Sequence, residues 1–181
     1  GFMTILISLD VEASGPCPNH GDLHSFGAVV IGPEVLTDDW NGFYSDVLKP
    51  ECNNYNEGAY KAIGETREGH LAATKTISDA ILEFNQWLNQ IKRKENERFV
   101  MLSDNPGFDF GWMNFEFFNI LGYNPLGHSA RRIGDAYCGL NDNMRNTQGW
   151  KKLRDAPHDH NPLNDALGNA QAWVKLWPNS Y

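Results

Sequence analysis

The sequence predicts an α/β protein whose sheet begins with three strands that follow one another along the chain. The strands are predicted from short apolar segments at 5–15, 23–31 and 40–48, which are separated by turn-rich connections. Short connections of this kind are typical of an antiparallel meander. A long amphipathic helix and a further buried strand follow. With 181 residues and 41% hydrophobic composition, the chain is long enough for one sizeable core, and we expect a single domain over 3–181.

Composition and net charge limit the classes of function that the chain can have. No apolar run approaches the ~20 residues that span a bilayer, so we expect no membrane partner and a cytoplasmic location. The three cysteines are an odd number spread along the chain, which argues against a disulfide framework. The formal net charge of -8 argues against avid nonspecific binding to duplex nucleic acid. It argues less strongly against an enzyme that binds only a few nucleotides.

The first strand ends by presenting two carboxylates, Asp10 and Glu12. Successive side chains of a strand point to opposite faces, so both acids share one face while Ile7 and Leu9 share the other. Neighbouring carboxylates repel each other and need a positive partner to stay ionised together. A divalent cation bound by oxygen ligands is the natural partner, and a solvated strand end is the alternative.

The middle of the chain is predicted from apolar periodicity. A helical piece at 59–63 precedes a long helix at 76–91, in which apolar residues recur at steps of three and four. A buried strand is predicted at 98–103, followed by an aromatic-rich helix at 110–121. Residues 130–140 are predicted to form a shorter helix. The sequence therefore alternates strands and helices after the first three strands.

The last helix and its approach contain the remaining candidate residues. Asn161 and Pro162 form a good helix start, because Pro is preferred at the first helical position. His160 stands just outside this helix and Asp165 lies in its first turn. Asp109 lies at the start of the aromatic-rich helix, where a carboxylate can cap free N–H groups. Taken singly, each acid has a structural explanation.

Taken together, three ordered motifs resemble those of the DEDDh family of 3'-5' exonucleases. The motifs are D-x-E at 10–15, N-x-x-F-D at 105–109 and H-x-x-x-x-D at 160–166. The resemblance runs over nearly the whole chain. Residues 26–30 resemble the family's second strand, and residues 133–137 resemble the helix that often precedes the third motif.

The resemblance implies a fold and a chemistry. The implied fold is ribonuclease H-like, with a mixed five-stranded sheet flanked by helices on both faces. Two divalent ions, Mg²⁺ or Mn²⁺, would stabilise the attacking and leaving oxygens of a phosphodiester. By resemblance, their ligands are Asp10, Glu12, Asp109 and Asp165. His160 would be the general base, since an unperturbed imidazole titrates near pH ~6.5. The implied activity is 3'-5' hydrolysis of single-stranded RNA or DNA to nucleoside 5'-monophosphates.

Further residues are predicted to contact the substrate. By resemblance, the backbone around Ala13 and Ser14 contacts the terminal 3'-hydroxyl, and Asn105 belongs to the second motif. Basic residues of the later segment are predicted phosphate contacts, with solvated surface as the alternative. They are Arg131, Arg132, Lys151 and Lys152.

Several alternatives stay open from the sequence. His158 competes with His160 for the role of base, although the five-residue offset to Asp165 favours His160. Asp104 stands where relatives often carry a His, and its role is open. A ribonuclease H-like endonuclease and an inactive nucleic-acid-binding module are the rival functions. Similarity to stand-alone trimming enzymes favours RNA over DNA, and a homodimer is possible.

Overall fold

The computed structural model describes residues 3–91 and 93–180 of the chain and confirms the α/β class. The strands are β1 (Met3–Ala13), β2 (Leu23–Val30), β3 (Gly42–Tyr44), β4 (Glu97–Ser103) and β5 (Ala130–Arg132). The helices are α1 (Glu57–Ile63), α2 (Arg67–Leu71), α3 (Ile77–Gln90), α4 (Pro106–Leu121), α5 (Ile133–Leu140) and α6 (Pro162–Leu176). Single 3-10 turns lie at Pro33–Leu36 and Gly149–Leu153.

The strands form one mixed five-stranded sheet in the order β3-β2-β1-β4-β5. Strands β1, β2 and β3 pair antiparallel, which confirms the predicted meander. Strand β4 pairs parallel with both β1 and β5. Because parallel strands end at the same edge of a sheet, the acids that end β1 lie beside the start of α4, which follows β4.

The two faces of the sheet are covered by different helices. On one face, Ile7, Leu9 and Val11 of β1 pack in a core with residues of α3 and α4. On the other face, Leu6 packs in a second core with residues of α5 and α6. Ser8, on the same face as Leu6, donates a hydrogen bond of 2.7 Å to the Ala166 carbonyl of α6. Asp10 and Glu12 share this face, so they leave β1 on the side of α6.

Helix α3 follows the predicted stripe closely. Its buried positions include Ile77, Ile81, Phe84 and Leu88, as the spacing of three and four requires. The Thr76 side chain accepts a hydrogen bond from the Asp79 N–H and caps the helix. The predicted range 76–91 and the observed Ile77–Gln90 therefore differ only at the ends.

Some elements differ from the sequence prediction. The predicted helix at 130–140 is wrong in its first turn, because Ala130–Arg132 pairs with β4 as the edge strand β5. Helix α4 begins at Pro106 rather than at residue 110, so Asp109 lies inside its first turn. The third strand is confined to Gly42–Tyr44, and α2 was not anticipated. No helix within 3–91 and 93–180 has the length and apolar character needed to cross a membrane.

Candidate active site

Four predicted acids from three elements meet at the end of β1. Ligand oxygens of Asp10, Glu12 and Asp165 all lie within 4.8 Å of one another. Asp109 of α4 joins them, because its Oδ1 accepts a hydrogen bond of 2.9 Å from the Val11 N–H. Asp109 and Asp165 are each only 4% exposed. The structure therefore brings all four sequence-predicted acids into one cluster.

Gly27 allows the first turn of α6, which carries Asp165, to lie close to the sheet. Gly27 of β2 is the register partner of Asp10. A Cβ atom at Gly27 would lie 2.4 Å from the Leu163 N and 2.5 Å from the Leu163 Cα, both in the backbone of the first turn of α6. Real Cβ atoms do not approach so closely, so the first turn can sit on the sheet only above a glycine. Asp165 is thereby placed over Asp10.

The acids are held in an environment that disfavours their charged forms. Burial, with the charges of Asp109, Glu12 and Asp165, raises the pKa of Asp10 well above its ordinary value. Burial likewise raises the pKa of Glu12 and the pKa of Asp109 to about 7 each. The Asp10 Oδ2 atom is buried and has no hydrogen-bond partner among the described residues. An unpartnered buried oxygen among carboxylates fits a hard divalent cation, which would supply the missing positive charge.

Asp165 has two basic partners on one oxygen. Arg154 Nη2 lies 3.0 Å from Asp165 Oδ1, and His158 Nδ1 lies 2.8 Å from the same atom. His160 is exposed and holds a left-handed backbone with φ of 61°, and its ring centroid lies 5.5 Å from that of His158. Both histidines thus stand at the site, and the one in contact with Asp165 is His158.

The predicted contacts to the 3' end lie around a cavity beside Glu12. Ala13 lines this cavity of about 510 Å³, and most of the remaining lining is apolar. Ser14 is fully buried and is committed to the protein itself. Its N–H donates to the Asp22 carbonyl, and its Oγ accepts from the Asp22 N–H. Asn105 is exposed at the N-terminal end of α4.

The predicted phosphate contacts are dispersed. Arg131 lines a separate cavity with Leu6 and two tryptophans of the C-terminal region, so it does not join the acids. Arg132 pairs with Asp135 at 3.2 Å. Lys151 pairs with Asp104 at 3.2 Å, which gives Asp104 a structural partner next to the site. Lys152 is exposed.

Arg154 is a site residue that sequence reasoning did not single out. It belongs to the basic segment, yet its partner Asp165 lies on another element and its spacing from that acid matches no motif. No local pattern signals this contact, because the intervening residues 155–161 are neither helix nor strand. The contact appears only when this segment is packed against α6.

Comparisons with known proteins agree with the fold. No protein-family model matches the chain. It is 32% identical over 137 residues to the 3'-5' DNA exonuclease Cap18 of Escherichia coli, a match that covers 75% of this chain and 69% of that protein. Among solved structures, it is similar to the nuclease domain of 3'hExo, described as a DEDDh family member bound to rAMP. That match has a TM-score of 0.70 and 14% identity, and it covers 97% of this chain and 92% of the other.

A second solved structure is similar over almost the whole chain. The zinc-bound complex of E. coli ExoI with single-stranded DNA matches with a TM-score of 0.66 and 14% identity, covering 98% of this chain and 42% of that one. The identities to solved structures are low, so these matches show the ribonuclease H-like fold alone. The Cap18 match shows the family, and the chain belongs to the DEDDh family of 3'-5' exonucleases. Membership implies a dependence on divalent metal ions, which the acidic cluster fits.

Proposed function

We propose that this exonuclease removes nucleotides from the 3' end of single-stranded DNA and releases nucleoside 5'-monophosphates. The observation that carries the proposal is that ligand oxygens of Asp10, Glu12 and Asp165 lie within 4.8 Å of one another, with Asp109 bonded to the backbone N–H of Val11 beside them. Residues 3–181 act as one exonuclease domain in this proposal. Nothing in it depends on a second subunit, and the homodimer stays a prediction that sedimentation of the purified chain tests.

The proposed roles follow from what each side chain can do. Asp10, Glu12, Asp109 and Asp165 hold the metal ions. Two bound divalent ions, Mg²⁺ or Mn²⁺, would supply the charge that stabilises both the attacking and the leaving oxygen of the phosphodiester. His160 takes the proton of the attacking water. Its strained backbone supports this role, since non-glycine residues in the left-handed region cost energy and concentrate at functional sites.

The turn that carries His160 is itself fixed. Asp159 Oδ1 accepts a hydrogen bond of 3.1 Å from the Asn161 N–H, and Asp159 Oδ2 accepts one of 2.9 Å from the Asn164 side chain. The Asn161 side chain in turn accepts from the Leu163 N–H and caps α6. The strained residue is therefore held between a capped helix and its own preceding aspartate, which is how strain is maintained in a folded chain.

The cavity beside Glu12 is the proposed site of the terminal nucleoside. Its lining includes Ala59, Ala62 and Ile63 of the α1 region and Phe108 of α4, so it offers apolar and aromatic contacts to a base. Base stacking on aromatic side chains is tolerant of sequence, so such a site would accept any of the four bases. Ala13 would contact the terminal 3'-hydroxyl through its backbone. Ser14 holds the adjoining loop instead, because its backbone N–H and Oγ already bond Asp22.

The choice of DNA over RNA rests on the relative rather than on the site. The 32% identical relative is named a DNA exonuclease, whereas the similar solved structures include complexes with both kinds of nucleic acid. The preference for RNA expected from the sequence rested on similarity to trimming enzymes as a class, which is weaker support than a sequence relative. RNA is therefore the competing substrate in the experiment.

The experiment uses a 5'-fluorescent single-stranded DNA, an RNA of the same sequence and a circular single-stranded DNA, each with Mg²⁺ or Mn²⁺. We expect a ladder that shortens from the 3' end of the linear DNA, nucleoside 5'-monophosphates as the released product, and an intact circle. Asp10→Asn should lose most of its activity, because a neutral amide replaces a metal-binding carboxylate of similar size. Cleavage of the circle would favour an endonuclease, and full activity of Asp10→Asn would contradict the proposed site.

A further inference from the structure

The ion pair between Arg154 and Asp165 is buried. The two side chains are only 9% and 6% exposed, and Arg154 Nη2 lies 3.0 Å from Asp165 Oδ1. Surface ion pairs are usually incidental, but a buried pair requires both charges to be taken out of water. Arg154 Nε is also buried and lacks a hydrogen-bond partner among the described residues. Leaving a buried donor unpaired costs free energy, so the contact with Asp165 is made in spite of that cost.

One face of α6 holds the segment that carries Arg154. Gln171 Oε1 accepts hydrogen bonds of 3.1 Å and 2.8 Å from the N–H groups of Asp155 and Ala156. Lys175 Nζ donates to the Leu153 carbonyl at 3.0 Å and pairs with Asp155 Oδ1 at 2.7 Å. Gln171 and Lys175 are four residues apart and share one face of α6, and Asp165 lies in the first turn of the same helix. The backbone on both sides of Arg154 is thus fixed to the helix that carries Asp165.

Gly168 leaves the space that the guanidinium occupies. A Cβ atom at Gly168 would lie 2.7 Å from Arg154 Nε, 3.0 Å from Nη2 and 3.1 Å from Cζ. The three nearest atoms all belong to Arg154, so a side chain at Gly168 would meet the guanidinium first. A glycine inside a helix is unfavourable relative to alanine, which makes its presence here a feature of packing rather than of helix formation.

We infer that Arg154 is a positioning residue for Asp165, holding Oδ1 so that the carboxylate keeps one orientation and leaves Oδ2 for a divalent ion. Arg154 and His158 both contact Oδ1, and none of the described residues donates a hydrogen bond to Oδ2. The planar guanidinium of Arg154 offers its N–H groups in a fixed fork, so its contact at 3.0 Å holds the carboxylate in one orientation. Without Arg154, His158 would be the remaining side-chain contact of Oδ1 among the described residues, against the repulsion from Asp10 and Glu12.

The inference rests on the proposed role of Asp165 as a metal ligand, and it concerns a partner of that ligand. Residues that orient metal ligands typically change metal affinity or activity by about 10- to 100-fold when they are replaced. We therefore expect Arg154→Ala to weaken Mn²⁺ binding by about 10- to 100-fold. Arg154→Lys, which keeps the charge, should recover part of that loss.

The test is a double-mutant cycle on Arg154 and Gly168. Free Mn²⁺ is measured by electron paramagnetic resonance during titration of the purified chain, at a temperature where circular dichroism shows each variant folded. Gly168→Ala retains every charge but pushes the guanidinium aside, so it should also weaken Mn²⁺ binding. In the Arg154→Ala background the added methyl group meets no guanidinium, so the double variant should bind Mn²⁺ as Arg154→Ala does. Gly139→Ala is the matched control, since a Cβ there meets nothing within 4 Å.

The outcomes separate the inference from the function on which it rests. Asp165→Asn that binds Mn²⁺ normally would overturn the proposed metal site. Loss of Mn²⁺ binding in Asp165→Asn, with normal binding in Gly168→Ala and Arg154→Lys, would overturn the inference alone. Additive losses in the double variant would also overturn it, because the effect of Gly168→Ala would then not act through Arg154. If Arg154→Ala fails to fold, Mn²⁺ binding in the other variants decides. Weaker binding in Gly168→Ala and Arg154→Lys than in Gly139→Ala would support the inference, and equal binding in all three would overturn it.

Discussion

His158 Nδ1 lies 2.8 Å from Oδ1 of Asp165, the carboxylate that follows His160 at the motif spacing. The histidine in contact with the acid is therefore not the one that the motif spacing selects as the base. The two roles are chemically different, because a general base needs a ring nitrogen free to face the attacking water. His158 uses Nδ1 on Asp165, whereas no described residue hydrogen-bonds the exposed ring of His160.

The first prediction concerns these two histidines. His160→Ala should lower kcat by about 10²- to 10⁴-fold, the usual contribution of a general base. It should leave Mn²⁺ affinity nearly unchanged, since His160 is not a proposed metal ligand. His158→Ala should lower kcat much less than His160→Ala does, because Arg154 still contacts Asp165 and the proton acceptor is kept. Steady-state rates on linear single-stranded DNA measure both, and equal losses in the two variants would contradict the assignment.

The second prediction concerns the cavity beside Glu12. Phe108→Ala should raise KM for a DNA oligonucleotide about 5- to 160-fold, since stacking of a base on an aromatic ring contributes roughly 1–3 kcal/mol. The effect on kcat should be smaller, because an apolar ring neither holds a metal ion nor accepts a proton. Phe118→Ala on the same helix is the control, since Phe118 is 56% exposed and lines no part of this cavity. Equal KM values in the two variants would argue that the terminal base lies elsewhere.

The third prediction concerns the contact between β2 and α6. Gly27→Ala should lower kcat by about 100-fold, because the added Cβ displaces the first turn of α6 and with it the carboxylate of Asp165. The free energy of unfolding should fall by about 1–3 kcal/mol, which is the usual cost of overpacking a tight contact. Gly111→Ala, where a Cβ meets nothing within 4 Å, should keep its activity. Activity assays and urea unfolding measure both effects, and a fully active Gly27→Ala variant would contradict this account of how α6 is placed.

The fourth prediction concerns a buried acid away from the site. Glu116 of α4 is 5% exposed, and burial beside Glu51 and Asp22 raises its pKa from 4.5 to about 7. A carboxyl group with a raised folded-state pKa stabilises the protein fully below pH 4.5 and loses that contribution as the pH rises through about 7.

Glu116→Gln removes this pH dependence because the amide does not ionise. Above pH 7 the variant should be more stable than the natural chain by on the order of 3 kcal/mol, and near pH 4.5 the difference should vanish. Urea unfolding at the two pH values measures it. The exposed Glu68 provides the control, since Glu68→Gln should change stability by less than about 0.5 kcal/mol at either pH. A constant difference across the range would mean that Glu116 does not titrate as described.

The parts of the structure that follow local rules could be predicted from the sequence. Asp10 and Glu12 emerge on one face because strand side chains alternate, and α3 follows from its apolar spacing. The strand at Ala130–Arg132 could not be predicted, since three residues have no periodicity and their pairing with β4 decides their conformation. The contact of Arg154 with Asp165 depends on a segment without regular structure packed on α6, which no local pattern describes.

The acidic cluster joins the first strand of the described chain to its last helix. During synthesis, a ribosome that has already completed β1–β5 has not yet made α6, so Asp10 and Glu12 lack the carboxylate of Asp165. The nascent chain is therefore unable to assemble the metal site until α6 has left the exit tunnel and docked beside Gly27.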